Sequence, residues 1–360
     1  MSCWIRGSLL AAGALSGISC AATTAPSPPP EERLVVLNAG DNTLTIIAVD
    51  TTKPARTLQF GPLAGAAADV AARADIAVVA GGSADEVVVV SLIVGQVLRR
   101  IPLAAGSRPS AVAMVSDRIG YVANAGRNVV TRFDVATGDT ASITVGQYPR
   151  DLLLTRGRLF VVNGNVEPCP AGTCSLGASW LSVVDPQANT LAAGRDSIGL
   201  PLQGNARSAT LGGDGLIYVV STGDQETETA GRLTIVDPIR REEVGSFGGF
   251  GFVPQAVASD RGERLFVGSP RDGLMEFNTR TRRVVRGAGE GIAVTNNAAV
   301  AVDSRGRIYA LEAGGCVAGS PGRLRIYRTD LTEARGLILG VCPVAATFVQ
   351  LVEPLPPPGQ

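Results

Sequence analysis

The chain has 360 residues, 45% of them hydrophobic and only 4% aromatic, with 32 basic and 32 acidic residues and no His. That length allows a sizeable core of Val, Ile, Leu and Ala, and the balanced charge excludes the basic footprint of a nucleic-acid binder. The missing His excludes Ser-His-Asp and Cys-His catalysis, His-ligated zinc and His-based proton transfer.

Residues 1–19 read as a signal peptide. Arg6 supplies a short positive region, and Ser8 to Ile18 is small and apolar. That run is too short to span a bilayer as a stable helix. "LSGISC" (Leu15 to Cys20) has the form of a bacterial lipoprotein signal, in which Cys20 becomes the lipidated first residue; Gly17 stands where that pattern prefers Leu. Ordinary cleavage near Ala21 or Ala22 is the alternative. Residues 20–32 follow as a Pro-rich tether, extended and without a packed core. These segments predict an exported protein of the periplasm or cell surface, held to a membrane by a lipid anchor. The cysteines agree. Cys3 leaves with the signal, and lipidation of Cys20 leaves Cys169, Cys174, Cys316 and Cys342, enough for two bridges in an oxidising compartment.

From residue 33 onward one phrase recurs. Asn38-Ala39-Gly40-Asp41-Asn42 is repeated 86 residues later as Asn124-Ala125-Gly126-Arg127-Asn128. The hydrophobic runs that lead into this position end at Asn38, Gly81, Asn124, Asn163, Ser221, Ser269 and Glu312. The steps are 43, 43, 39, 58, 48 and 43 residues. A period in the forties built from short strands predicts a β-propeller, here with seven blades. Each unit has a strand such as "IYVV" (Ile217 to Val220), a turn or insert, a second strand such as "RLTIVD" (Arg232 to Asp237), and a more exposed strand. A bend then leads to a small-residue strand such as "QAVAS" (Gln255 to Ser259) that fits a crowded axis. The bend recurs as Gly106/Pro109, Gly146/Pro149, Gly251/Pro254 and Gly340/Pro343, with Gly204/Arg207 lacking the Pro. Pro ends ladder pairing before the next blade begins. Asp50, Asp134, Asp185 and Asp237 close the second strands, and repeated Asp at a turn start reads as a backbone cap rather than a catalytic acid. The chain begins on an outward strand (Leu34 to Leu37) and ends on an inner one (Pro343 to Val352). The C-terminal strand is therefore expected to complete the first blade and close the ring. Residues 353–360 form a Pro-rich tail.

"YVANAGRNVVTRFDVATGDTASITVGQYPRDLLL" closely resembles the YVTN-type seven-bladed β-propeller repeat, through Tyr121, Val122, Asn124, Asn128, Asp134, Gly146 and Pro149. The resemblance covers about Arg33 to Val352. It implies an all-β fold of seven four-stranded antiparallel blades in one domain, residues 33–352, and an exported, surface-layer-like protein. It carries over no catalytic residues.

Extra length falls between the first and second strands of three units: Asn163 to Ser179, Ser221 to Gly231 and Glu312 to Gly322. Strand order puts all three on one face, where loops on a rigid scaffold carry binding. Four Cys permit three pairings; of these, Cys169 is expected to bond to Cys174 and Cys316 to Cys342, both on that face. Contacts to a partner are expected from Glu167, Trp180, Asp224, Glu226 and Glu228. The bends ring the channel mouth with Arg108, Arg150, Asp151, Arg207, Gln255, Asn296 and Asn297. Of these, Arg150 and Arg207 have the geometry to clamp a carboxylate or phosphate, with Gln255 and Asn296 beside them; Arg150 and Arg207 could equally be solvated or paired with Asp151. The reading is a non-catalytic envelope scaffold for a protein, peptide or polymer partner, without cofactor or resident metal. The alternative is a metal-dependent, lactonase-like hydrolase with Asp151, Asn296 or Asn297 and an insert carboxylate converging on one ion.

Overall fold

The computed structural model describes residues 29–49, 53–169, 172–200, 204–223 and 229–352. Seven antiparallel sheets succeed one another around a central channel. In chain order their strands are Asp69–Arg73, Ile76–Ala80, Glu86–Ser91 and Val97–Pro102 in blade 2, and Pro109–Met114, Ile119–Asn124, Val129–Asp134 and Thr140–Thr144 in blade 3. Blade 4 has Pro149–Thr155, Arg158–Asn163 and Ser179–Asp185; its outer position is divided between Thr190–Leu191 and Ser197–Leu200, which both pair with the third strand. Blade 5 comprises Ala206–Leu211, Ile217–Ser221, Arg232–Asp237 and Glu242–Phe247. Blade 6 comprises Ala256–Ser259, Arg264–Ser269, Gly273–Asn278 and Arg283–Arg286. Blade 7 comprises Asn297–Val302, Ile308–Glu312, Pro321–Tyr327 and Glu333–Val341. Blade 1 joins both ends of the fold: Pro343–Leu351 is its inner strand, and Glu31–Asn38, Thr43–Ala48 and Arg56–Gln59 follow outward. The ring is thus closed by the C-terminal strand, paired from Glu31↔Leu351 to Asn38↔Pro343. The first strand starts at Glu31, two residues ahead of the expected boundary, because Glu31 and Glu32 still find ladder partners and Glu32 accepts from Ser304 Oγ in blade 7. Among the described residues the one helical element is a short 3-10 turn, Gly82–Ala84.

The hydrophobic core is a ring of seven layers, one between each neighbouring pair of blades. Side chains alternate across a strand, so each blade feeds two layers. In Glu31–Asn38, Val35 and Leu37 face blade 2 while Leu34 and Val36 face blade 7. Strands buried on both faces need continuous apolar runs. That is why Val87 to Val90 can all be fully buried.

The repeated phrase is explained by the end of the second strand of each blade. Asn38, Asn124 and Asn163 are fully buried. Their Nδ2 groups donate to Thr45 Oγ1 (2.8 Å), Thr131 Oγ1 (2.8 Å) and Ser182 Oγ (3.0 Å) on the third strand. The bend glycine lies against this Asn: a Cβ on Gly146 would collide with Asn163 and Trp180, and one on Gly340 with Asn38 and Asp41. The Asp at the end of the third strand caps a turn. Oδ1 of Asp134 accepts from the N–H groups of Ala136 (2.9 Å) and Thr137 (3.2 Å), and Oδ1 of Asp237 from those of Ile239 (2.8 Å) and Arg240 (3.0 Å). The same amides, Arg240 foremost, hold the Asp237 carboxyl below its ordinary range. Asp185 caps Gln187 and Ala188 likewise, and Asp50 lies outside the described residues.

Candidate functional site at the channel mouth

All seven inner strands line a channel cavity of about 730 Å³. Each strand enters from the face that carries the inserts. In blades 1, 3, 4, 5 and 7 the ladder skips one residue at this entrance: Val344, Ser110, Arg150, Arg207 and Ala298. Such a bulge leaves one residue unpaired and re-aims its side chain. Blades 4 and 5 use that place for Arg150 and Arg207, and blade 6 brings Gln255 to the same wall.

At the bend into the inner strand one residue is held in the left-handed region: Arg108, Tyr148, Asn205, Val253, Asn296 and Cys342 (φ 49° to 62°). None is glycine, so the surrounding contacts must impose the conformation. At Tyr148 they are visible. Its N–H donates to Asn128 Oδ1 in blade 3 (2.9 Å), and its carbonyl accepts from Gly164 in blade 4 (3.0 Å). The ring then backs the Arg150 guanidinium, 4.8 Å from its centroid. Arg207 Nη2 donates to Gln255 Oε1 at 3.3 Å. Desolvation pushes both guanidiniums down in pKa. Arg150 falls to about 10, with the neighbouring positive charge of Arg207 as a further cause.

One residue farther along their strands, two carboxylates face the same channel. Asp151 accepts from the amides of Leu152 and Ala209, each at 2.7 Å, and Asp69 Oδ2 accepts from that of Val112 at 2.9 Å. Ala209 and Val112 lie on the inner strands of the next blades, so each Asp ties its blade to a neighbour. Burial raises both carboxyls, Asp69 to about 7, where the charge of Asp151 contributes as well. Asp151 is held by these amides and by the Ser208 side chain.

The other expected residues are spread more widely. Arg108 is exposed and outside the cavity wall; its amide donates to Asp85 Oδ1 (2.7 Å). Asn296 is exposed, donates to Gly314 O (2.9 Å) and does not line the cavity. Asn297 is fully buried and donates to Gly273 O (3.1 Å). Neither Asn therefore joins Asp151 in the arrangement a metal-dependent hydrolase would need. Among the described residues no group of three His, Cys, Asp or Glu is gathered to hold a metal. Glu167 is exposed on the insert hairpin, Val166–Cys169 paired with Gly172–Ser175. Trp180 belongs to blade 4 rather than the insert: it is half-buried, paired with Asn163, and close to Gly146. Asp224, Glu226 and Glu228 lie outside the described residues, as do Cys20, residues 1–19 and the 353–360 tail.

Both expected disulfides are present. Cys169 is bonded to Cys174 (Cα–Cα 5.8 Å) and Cys316 to Cys342 (Cα–Cα 4.5 Å). Two disulfides are consistent with an oxidising, extracellular setting. Strand order puts both on the insert-bearing face. The second also reaches the ring seam, because Cys342 O accepts from Ala39 N–H and Val341 O from Gly40 N–H, each at 2.9 Å. Asp69 and Tyr148 are the site residues that sequence reasoning missed. Asp69 and Asp151 each stand eleven residues ahead of their ladder partners, Ala80 and Val162. That shared offset marks the equivalence, but blade 2 has no Gly-x-x-Pro bend to fix the register.

No protein-family profile matches the sequence, and no curated protein matches it. Among solved structures the chain is similar to one titled "Kuenenia stuttgartiensis Hydrazine Synthase", at 14% identity and a TM-score of 0.60, over 88% of this chain and 100% of that one. In all, 1251 solved chains match, so the likeness selects no activity. These comparisons and the blade count place the chain among the seven-bladed β-propellers.

Proposed function

We propose that this protein is an exported, non-catalytic propeller of the YVTN repeat type, whose insert-bearing face binds a protein, peptide or polymer partner. The observation that carries this reading is the collection of both disulfides, the stapled inserts and the arginine-rich channel mouth on one face. Rigid scaffolds present binding groups on loops, and a bridge limits the freedom an insert must lose on binding. Cys20 carries the lipid anchor, and the Pro-rich segment lets the propeller stand off the membrane.

The test uses a photo-crosslinking side chain at Glu167, on the insert face, and at Ile239, an exposed residue of a turn on the opposite face. Whole cells of the producing organism are irradiated. Adducts of one defined mass from the Glu167 position alone support the reading; equal adducts from both, or adducts from Ile239 only, overturn it. Incorporation of a fatty-acid label, lost in C20S, tests the anchor; a mature chain without label ends that part.

A further inference from the structure

The seven blades provide an internal comparison for the channel mouth. At the entrance of the inner strand they carry Val344, Ala68, Ser110, Arg150, Arg207, Gln255 and Ala298. Blades 1, 2, 3 and 7 are built with small or apolar residues there, so the architecture itself requires no charge. Ser110 shows what structure alone asks of the place: its hydroxyl donates to Pro149 O in the next blade (2.6 Å). Blades 4, 5 and 6 are adjacent, and they replace such residues with two guanidiniums and an amide. The result is an arc of donors on one side of the mouth.

The arc is also oriented. The Tyr148 ring backs Arg150, and Gln255 Oε1 holds one edge of Arg207. Two like charges side by side in a desolvated wall repel, and an anion between them relieves the repulsion. Desolvation lowers the proton affinity of both groups, and at Arg150 the charge of Arg207 adds to it. Below the arc, the carboxyl oxygens of Asp69 and Asp151, held by backbone amides, offer only acceptors to anything that passes deeper. A second negative charge on the ligand would meet them, so a monoanion fits better than a dianion. Farther in, the wall carries small apolar side chains such as Ala113, Val257 and Ala346. From this we infer that the channel mouth is a binding site for a single carboxylate on a slender apolar body, gripped by Arg150 and Arg207 and steadied by Gln255. This rests on the insert-bearing face being the binding face, and it names the chemical group recognised there.

Calorimetric titration of the mature, disulfide-bonded protein with hexanoate tests the inference, with hexanol, hexylamine and inorganic phosphate as comparison probes. Hexanoate binds one to one. R150M and R207M each weaken it about tenfold or more, as expected for loss of a charge-assisted hydrogen bond, and Q255L weakens it less. Hexanol and hexylamine give no saturable heat. Absence of hexanoate binding at about ten millimolar, the weak limit of useful affinity, overturns the inference, as does binding that R150M and R207M leave intact. Phosphate binding tighter than hexanoate overturns the choice of carboxylate. If either variant fails to fold, the native protein gives a second readout: hexanoate protects Arg150 and Arg207 from phenylglyoxal, read by peptide mass spectrometry, and equal modification with and without it sinks the idea. Crosslinking from Glu167 without hexanoate binding ends this inference alone. Hexanoate binding without crosslinking ends the partner-binding reading instead.

Discussion

At the scale of single residues, the buried Asn and the channel Asp do opposite things to stability. Asn124 is fully buried, and its amide joins two strands through Thr131, which in turn meets Ser142 Oγ at 2.8 Å on the outer strand. Asn124→Ala leaves Thr131 with one fewer partner and opens a small void; a loss of about 2 kcal/mol is expected, measured by denaturant unfolding. Asn124→Asp should cost more, because a charge is then buried. Asp69 sits in the same fold under strain of another kind. Its carboxyl keeps its proton to about pH 7 when folded but releases it near the ordinary value of 3.8 when unfolded. Between those pH values the native state binds more protons, so this contribution favours folding at low pH and is lost as pH rises through about 7. Asp69→Asn keeps an acceptor for the Val112 amide and removes the titration. The variant should match the parent below about pH 3.8, where both states hold the proton, and gain on it as pH rises towards 7, exceeding it by roughly 2 kcal/mol at pH 8, discounted for water in the channel. Melting curves across that range check it, and an unchanged pH profile would refute the assignment. Neither role is visible in residue type alone: Asp134 and Asp69 are the same amino acid, one capping an exposed turn and one desolvated at the axis.

At the scale of elements, the two disulfides sit on different kinds of segment. Cys169–Cys174 closes a hairpin with a sequence separation of 5, whereas Cys316–Cys342 spans 26 residues and reaches the strand that closes the ring. Loop-closure entropy gives about 2 kcal/mol for the first and about 3.5 kcal/mol for the second. Paired Cys→Ser changes should therefore separate. C169S/C174S is expected to leave the main melting transition nearly in place and to expose the hairpin to proteolysis. C316S/C342S is expected to lower the main transition, because it frees the seam that Ala39 and Gly40 hold to the last bend. Calorimetry and limited proteolysis distinguish the two; equal effects would mean that the second bridge does not bear on closure. The bends tell a similar story. Gly-x-x-Pro was legible as a boundary, but the left-handed residues inside it, such as Tyr148 and Cys342, carry no glycine to announce them. Contacts with the neighbouring blade select that conformation, and those contacts do not exist in the isolated segment.

At the scale of the whole molecule, stability is distributed around a ring with no first or last layer. The closing strand contributes Ala345, Val349 and Leu351 to the layer facing blade 2, and Ala346 and Phe348 pack into the layer facing blade 7. A chain ending at Cys342 loses part of two layers and leaves Glu31–Asn38 as an open edge, a template for aggregation. It should lose the cooperative transition rather than one seventh of it. A truncated chain that still melts sharply near the parent temperature would show the blades to be more independent than the packing suggests.

The sequence by itself determined the repeat, the number of blades and the ring closure, and it favoured the cysteine pairing found among the three that four Cys allow. Those follow from periodicity and strand order: Asn38, Asn124 and Asn163 recur because each must bury the same amide, and a face shared by Cys316 and Cys342 is fixed by counting strands. The site was half legible. Arg150, Arg207 and Gln255 stood at bends, and the bends had to ring the channel. Tertiary structure alone decided that Asn296 and Asn297 turn away while Tyr148 and Asp69 join the wall. It also decided that Trp180 packs into blade 4 rather than projecting with Glu167. The physical reason is the same in each case. A period gives the position of a residue within a blade, whereas its direction depends on bulges and left-handed turns that only contact with the adjacent blade can hold.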